Sequence, residues 1–541
     1  MKFVYGGPKR FAHQTAGLRR LIETRGVCAL LWDPGTAKTS TVLDYLSLLA
    51  LKNGGEIRAL VVAPLAAVDT WVSQSETFVS PQVSVWAEAV GSTLSVKRRA
   101  QVLADRGGKP FPKAPEPRRS RLRGERTLWA ARALSTYVRR ADGRPAALAD
   151  GPGALPGPRL MIQSINADSF KSRQPVGSKT MADVMLTAVE RYAPDVVVID
   201  ESHVSLKGHG SNVSRLLSRI GARAPRRIIL TGTVMPHSPL DVFGQWRFLA
   251  PYDFGRVGRD GKRKAATWGS FTDRYGVMGG FMGREVIGFQ NLDEMQEIMS
   301  RRSMVVRKED ALDLPTLTEE VIHVRLSSAE QSAYDSMRST LAATIGPGST
   351  STVPNRLAQA MRLRQITAGH LPSDQGGTRT VGTSKVDMAR SVAQDILGGE
   401  DRIVVFAEFI HEIDALADAL ADKRSEVLKI TGETPPEQRK KMRERFGSGE
   451  KKRLIIVAQI RTMNLAVNEL VTARAAIFAS LPQQRDLIVQ ALARLDRIGQ
   501  TRPMTAYFLN ALGTIDETIY QSYRDRSNLE AAVLDHLRKA E

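Results

Sequence analysis

The sequence predicts an α/β chain built on parallel sheets flanked by helices and divided into more than one domain. Three observations carry this expectation. Val27–Trp32 (VCALLW) is a short apolar run followed by a tight turn and a stretch, Thr39–Ala50, with apolar residues at helical spacing. Val196–Ile199 is a second apolar run, uninterrupted as in strands buried on both faces, and it closes on Asp200 and Glu201. In the C-terminal half, RIVVF (402–406) precedes HEIDALADAL (411–420), and RLIIVAQ (453–459) precedes a loop, which is the same strand–helix alternation. A chain of 541 residues exceeds one compact core and suits about two to four domains.

Composition narrows the class. With 42% hydrophobic and 25% charged residues the chain is globular rather than disordered. No apolar run approaches the roughly eighteen residues of a membrane span, and MKFVYGGPKRF lacks the apolar core of a signal peptide. Cys28 is the only cysteine, so disulfides and cysteine metal clusters are excluded. The expected location is the cytoplasm, or the host cytoplasm for a phage-encoded chain. His203 and His209 lack further soft ligands nearby and are read as non-metal residues.

The net charge of +20 suits a polyanionic partner, most simply nucleic acid. Its distribution is uneven. Between Arg106 and Arg144 there are twelve Arg or Lys against three Asp or Glu, in a stretch rich in Pro and Gly. This predicts a flexible basic insertion over residues 104–158, with Arg118, Arg119, Arg121 and Arg123 as nucleic-acid contacts. Within it, ERTLWAARALSTYVRR, with Trp129 and Tyr137, reads as helical. A second basic loop is GRVGRDGKRK, residues 255–264. No internal repeat is present.

WDPGTAKTST, residues 32–41, is close to a phosphate-binding loop. Strand, tight turn and helix are the context that such a loop needs, because N–H groups at the helix start wrap phosphates and the helix dipole favours their charge. Lys38 would reach the outer phosphates, and the Thr39 hydroxyl would hold Mg²⁺. Gly35 supplies a flexible turn position, and Thr36, Ala37 and Ser40 complete the cradle. Two positions depart from the strict pattern: Trp32 stands at its first Gly and Ala37 at its second. The alternative is an ordinary strand–helix turn.

A phosphate loop hydrolyses nothing alone, since the metal needs a carboxylate and the water a base. In DVVVIDESH (195–203), Asp200 and Glu201 stand at the C-terminal end of a strand, where parallel sheets place their ligands. Asp200 can hold Mg²⁺ and Glu201 can orient or deprotonate the attacking water. Ile228–Leu230 is a further strand, ending in Thr231-Gly232-Thr233, whose hydroxyls could link the metal site to the rest of the protein. Gln14, in FAHQTAGLRRL, can pair with a donor and an acceptor on an adenine edge. In QALARLDRIGQ (490–500), Arg494 and Arg497 are expected on one helix face, aimed at a phosphoryl transition state, with Gln490 and Gln500 beside them. Thr434/Glu437 and Thr514/Glu517 have capping-box spacing and mark two helix starts.

Taken in order, these pieces resemble the Swi/Snf-type ATPases of helicase superfamily two. The resemblance runs from Gln14 through WDPGTAKT, LVVAPLAAVDTW (60–71), MIQSINADSF (161–170), DESH, LTGT, VVFAEF (404–409) and VAQIRTMNLAVNELVTA (457–473) to QALARLDRIGQ. VVRKEDALDLPTLTEEVIHVRLSSAEQSAY (305–334), MRLRQITAGHL (361–371) and RIGQ…GTIDETIYQ (497–521) point to the Swi/Snf group itself. It implies two tandem RecA-like lobes with ATP in the interlobe cleft. Lobe one would span 1–315, with a helical extension over 251–315, and lobe two 316–541, with a helical extension over 327–372. It implies ATP and Mg²⁺ as cofactors and DNA, double-stranded, as partner, with no membrane. By motif position Asn468 and Gln490 would face the nucleotide, while Ser164, Asn166, Thr431 and Gly432 would contact DNA. Protein partners are not specified.

The reading that follows is a DNA-stimulated ATPase tracking along a duplex, in a phage or bacterial genome-processing role. The alternatives are a strand-separating helicase, for which no separation pin is recognisable in the sequence, and a non-hydrolysing basic DNA-binding scaffold. The departures are Ala37 and, before Asn468, Ala466 in place of Gly. An alanine held in the left-handed region costs about 1–2 kcal/mol, or about one factor of ten in binding, which weakens a site without abolishing it. Lys38, Asp200, Glu201, Arg494 and Arg497 are all retained, which favours a working site over the scaffold.

Overall fold

Alternate residues of the apolar runs face two different cores, which is why those runs are continuous. Ala29 and Leu31 pack with Leu60, Val62, Val197, Ile199 and Ile229 in one cluster, whereas Cys28, Leu30 and Trp32 pack with Ala59, Val61, Val198 and Ile228 in another. The computed structural model describes residues 3–90, 136–139, 157–171, 175–176, 179–258, 260–280, 285–344, 353–372, 377–448, 450, 452–463, 469–497 and 500–525. They form two compact units, one reaching to Ala311 and the next beginning at Leu312.

Unit one is built on an eight-stranded sheet: β1 (Val27–Trp32), β2 (Glu56–Ala63), β3 (Ser84–Val90), β4 (Thr136–Arg139), β5 (Arg159–Asn166), β6 (Val196–Asp200), β7 (Arg226–Thr231) and β8 (Ser303–Val306). Their spatial order is β8-β1-β7-β6-β2-β5-β3-β4. All pairs are parallel except β3 with the edge strand β4. Helices α1 (Ala12–Glu23), α2 (Lys38–Asn53) and α3 (Leu65–Phe78) belong to this unit. Because β1, β7 and β6 are parallel neighbours, the phosphate loop, the Thr-Gly-Thr turn and the Asp-Glu pair leave the sheet at one edge.

Unit two carries a six-stranded parallel sheet: β9 (Leu317–Val324), β10 (Arg402–Ala407), β11 (Ser425–Ile430), β12 (Arg453–Gln459), β13 (Ala475–Phe478) and β14 (Met504–Ala511), in the order β9-β14-β13-β10-β12-β11. Val404, Phe406 and Ile456 point into one core and Ile403, Val405 and Ile455 into the other. Helices Ser328–Thr344 and Val353–Thr367 lie between β9 and β10 in the chain. No helix among the described residues is long and apolar enough to cross a membrane.

Several expectations are corrected. Thr136–Arg139, read as part of a helix, is a strand, in keeping with the β-branched and aromatic Thr-Tyr-Val run. The rest of that basic stretch, with Arg118, Arg119, Arg121, Arg123 and Trp129, lies outside the described residues. The segment 251–315 is not a helical extension. It holds two hairpins, Arg256–Val257 with Arg263–Lys264 and Gly276–Gly279 with Glu285–Phe289, and short helices at Trp268–Tyr275 and Leu292–Ser300. It then returns β8 to the main sheet beside β1. Thr434 does not cap a helix; the helix starts at Pro436 and the Thr434 hydroxyl accepts from Thr431 N at 3.0 Å instead. Thr514 does cap, its hydroxyl accepting from Asp516 N at 3.3 Å.

Candidate active site

Trp32 occupies the first loop position because the strand runs through it: the residue is fully buried and belongs to the sheet core. The loop proper is therefore short, from Asp33 to Ala37. Gly35 has φ 87° and Ala37 has φ 66° and ψ 35°, so the alanine does adopt the left-handed conformation that favours glycine. Its carbonyl is held by two hydroxyls of the first helical turn, Ser40 Oγ at 2.9 Å and Thr41 Oγ1 at 3.1 Å. Thr36 Oγ1 donates to Asp33 O at 2.7 Å, closing the loop on itself.

Lys38 is buried, and its Nζ donates to the Trp32 and Asp33 carbonyls at 2.6 and 3.1 Å. Thr39 is half-buried at the start of α2. Gln14 is turned inward: its Nε2 donates to Ser40 Oγ at 2.9 Å, and its Oε1 accepts from Phe11 N at 2.9 Å. One N–H and one oxygen lone pair of its amide thus brace the loop helix. His13, which the sequence reading passed over, reaches the loop directly; its Nε2 lies 2.9 Å from Thr36 O. Its only signal was its place beside Gln14.

Asp200 ends β6, buried, and register pairs it with Leu230, one residue before Thr231. Its Oδ2 accepts from Trp71 Nε1 at 2.9 Å and its Oδ1 from Glu201 N at 3.0 Å. Burial pushes the carboxyl up to about 6, and the Glu201 charge adds to this, against the pull of the Trp71 hydrogen bond and of Lys38. Lys38 and Glu201 thus both act on Asp200, so the loop lysine and the two carboxylates form one electrostatic unit. Glu201 takes φ 45°, a second left-handed non-glycine residue at this edge. Next to it, His203 Nδ1 is 2.8 Å from Thr231 Oγ1 and 3.6 Å from Glu201 Oε2. The Thr231 hydroxyl gives its hydrogen to Thr233 O at 2.9 Å. Thr231 thus joins the Asp-Glu motif, through His203, to the Thr-Gly-Thr turn. Gly232 admits the loop, since a Cβ there would lie 2.6 Å from Pro34 Cδ.

The donor set suits magnesium. Asp200 and Thr39 offer hard oxygens, and the carboxyl's raised pKa marks a site that a cation would stabilise. Among the described residues no cluster of three or more His, Cys, Asp or Glu could hold a metal by itself. A magnesium here would therefore share its shell with phosphate and water.

In unit two the helix Arg485–Leu495 carries Gln490 and Arg494, both half-buried. It ends at Leu495, with Asp496 as C-cap at ψ 88°, so Arg494 and Arg497 do not share a helix face as expected. Burial lowers the Arg497 pKa, and the charge of Arg494 lowers it further, while Glu469 acts the other way. Gln500 fixes this turn, its Nε2 donating to the carbonyls of Val471 and Ala473 at 3.1 and 3.0 Å. Asn468 and Ala466 lie outside the described residues.

The expected DNA contacts fare unevenly. Ser164 is fully buried within β5, between β2 and β3, which places its hydroxyl out of a phosphate's reach. Asn166 is buried as well and caps the following turn, its Oδ1 accepting from Asp168 N. Thr431 accepts from Glu433 N at 3.3 Å, and Gly432 N donates to Gln459 Oε1 at 3.1 Å.

Comparison with known proteins finds two matching families, the first of which runs past the boundary between the units at Ala311. Residues 13–370 match the SNF2-related domain and residues 389–499 the helicase conserved C-terminal domain. The chain is 24% identical to the DNA annealing helicase and endonuclease ZRANB3 of Bos taurus, over 66% of this chain and 31% of that protein. It is 22% identical to an uncharacterized ATP-dependent helicase of Mycoplasma genitalium, over 69% of this chain and 34% of the relative. With human chromodomain-helicase-DNA-binding protein 1 it shares 24% identity, over 63% of this chain and 19% of the relative. The matches thus span about a third or less of these relatives. A solved Sulfolobus solfataricus SWI2/SNF2 ATPase core in complex with dsDNA aligns with 99% of this chain and 95% of that one, at 18% identity and a TM-score of 0.38.

Proposed function

This chain belongs to the SNF2-related family, and from that premise we propose that it is an ATP hydrolase that uses the energy of hydrolysis to track along duplex DNA. The observation that carries the reading is that Lys38, at the start of α2 after β1, and Asp200 and Glu201, at the end of β6, stand at one edge of the unit-one sheet. In this reading Lys38 exchanges the Trp32 and Asp33 carbonyls for the outer phosphates. Asp200 and Thr39 would hold Mg²⁺, which would offset negative charge on the phosphate oxygens. Glu201 orients the attacking water. Arg494 and Arg497, in unit two, act on the phosphoryl transition state. The cytoplasm is the expected location for such an enzyme.

The name of one relative includes annealing helicase activity on DNA, and the printed name of another includes DNA binding. Both support DNA as the partner, and the excess of 77 Lys and Arg over 57 Asp and Glu supports it independently. ATP turnover measured without nucleic acid, then with duplex, single-stranded DNA and RNA, tests the reading. Duplex is expected to stimulate most. Turnover that ignores all three would remove the motor and leave an ATPase of another kind.

One observation favours the strand-separating alternative. The hairpin Gly276–Gly279/Glu285–Phe289 exposes Val277, Met278, Val286, Ile287 and Phe289, a concentration of apolar side chains not repeated elsewhere among the described residues. Apolar side chains can wedge between bases. Release of a labelled strand from a forked duplex distinguishes the two; translocation without release is the expected result.

A further inference from the structure

The basic loop 255–264 is a shaped element. Arg256–Val257 and Arg263–Lys264 pair antiparallel, with Arg256 opposite Lys264 and Val257 opposite Arg263. Gly258 N donates to Lys262 O at 2.8 Å and Gly261 N to Gly258 O at 3.0 Å. Gly261 has φ +71°, and a Cβ on Gly255 would collide with the Lys264 carbonyl. The root is fastened to the unit: Arg263 donates to Asp253 O at 3.1 Å, and Arg302 Nε to Asp253 Oδ2 at 2.7 Å.

Arg256, Lys262, Arg263 and Lys264 are all exposed, and none of them meets a carboxylate among the described residues. Asp260 is the hairpin's single acid, and it accepts from the Lys262 backbone N. Elsewhere in this unit the exposed Arg301 and Arg223 do pair, with Glu297 and Glu190. Four like charges held close on a rigid hairpin repel one another, and a polyanion relieves that repulsion.

We propose that this hairpin is a phosphate-binding finger that grips the DNA backbone, in addition to any contact made by residues 106–144. The proposal rests on the motor reading, which supplies the DNA. A phosphate contact needs only cations and backbone N–H groups. A protein partner would need an aromatic or apolar anchor. Val257 is the only large hydrophobic that the hairpin exposes.

The test compares the parent with a variant carrying Arg256→Gln, Lys262→Gln, Arg263→Gln and Lys264→Gln, in duplex-binding titrations across a salt series. The expected result is a log–log salt dependence shallower by about one unit per lost contact, with weaker binding most evident at low salt. A companion variant, Arg256→Lys with Arg263→Lys, should keep the parental slope. An unchanged slope in the glutamine variant would overturn the finger. So would an equal loss in the lysine variant, which would trace the effect to the hairpin's fold. Loss of binding to phosphatidylserine vesicles with an unaltered duplex slope would assign the hairpin to a membrane and also overturn it. A parent that neither binds duplex nor responds to it would defeat the motor reading and the finger together, whereas a parent that does both would leave the finger alone at stake.

Discussion

His13 donates its Nε2–H to the carbonyl of Thr36 at 2.9 Å, one residue before the left-handed Ala37. The carbonyl can only accept, which fixes the tautomer, and burial lowers the ring's pKa so that it is neutral at pH 7. This bond pins the peptide that leads into the strained residue. His13→Ala should therefore weaken ATP binding, and Ala37→Gly, which removes about 1–2 kcal/mol of strain, should rescue part of the loss. A double-mutant cycle on ATP affinity should return a coupling of about 0.5 kcal/mol or more. Strictly additive effects would mean that His13 holds something other than the strained loop.

Lys38→Ala tests the loop itself. It should lower ATP turnover by at least about two orders of magnitude, some 2.7 kcal/mol of barrier. Ala37→Gly should keep or raise turnover. Parental activity in Lys38→Ala would show that the loop is not where ATP reacts.

What the sequence disclosed and what it hid follow a physical pattern. The β1 and β6 runs were legible because strands buried on both faces are apolar without interruption. Lys38, Asp200 and Glu201 followed, since ligands gather at the ends of such strands. β4 was hidden because a four-residue edge strand inside a basic stretch carries little pattern. The hairpins of 251–315 were signalled by Gly255, Gly258 and Gly261, but a charge-rich loop does not announce its pairing. Arg497 was misplaced because nothing in LARLDRIGQ marks the helix end at Leu495; Gln500, three residues beyond Arg497, shapes that turn through tertiary hydrogen bonds. Gln14 was read for its bonding capacity, but which partner fills that capacity depends on Ser40, a neighbour in space only.

Arg494 and Arg497 should separate binding from chemistry. If they act on the transition state, replacing either with Ala should leave ATP affinity nearly intact and remove most hydrolysis. Nucleotide binding by fluorescence beside single-turnover hydrolysis checks this. A parallel fall in both would assign the arginines to ground-state binding or to folding.

Residues 106–130 can be tested without disturbing the sheet, because β4 begins only at Thr136. Removing them should raise the DNA concentration needed for half-maximal ATPase and flatten the salt dependence of duplex binding, while the maximal rate stays near parental. Unchanged affinity and slope in a folded deletion would point to a protein-docking role instead.

Glu412 should make stability depend on pH. It is 1% exposed, and Ser480 Oγ donates to its Oε2 at 2.6 Å. Burial pushes its carboxyl up to about 7, against Lys385, the Ser480 hydroxyl and the Phe409 N–H, while Asp516 adds to the rise. Lys385 in turn pairs with Asp516. In the unfolded chain a glutamate titrates near 4.3, so between about pH 4.3 and 7 the folded state binds more protons than the unfolded state. Stability from this group is therefore complete below the unfolded value and is lost as pH rises through the folded one. The loss is on the order of 2 kcal/mol between pH 5 and 8. Glu412→Gln keeps an oxygen for Ser480 and removes the titration, so urea melts across that range should show a flatter profile than the parent. Parallel profiles would mean that Lys385 keeps Glu412 ionised throughout and that burial does not govern the pair.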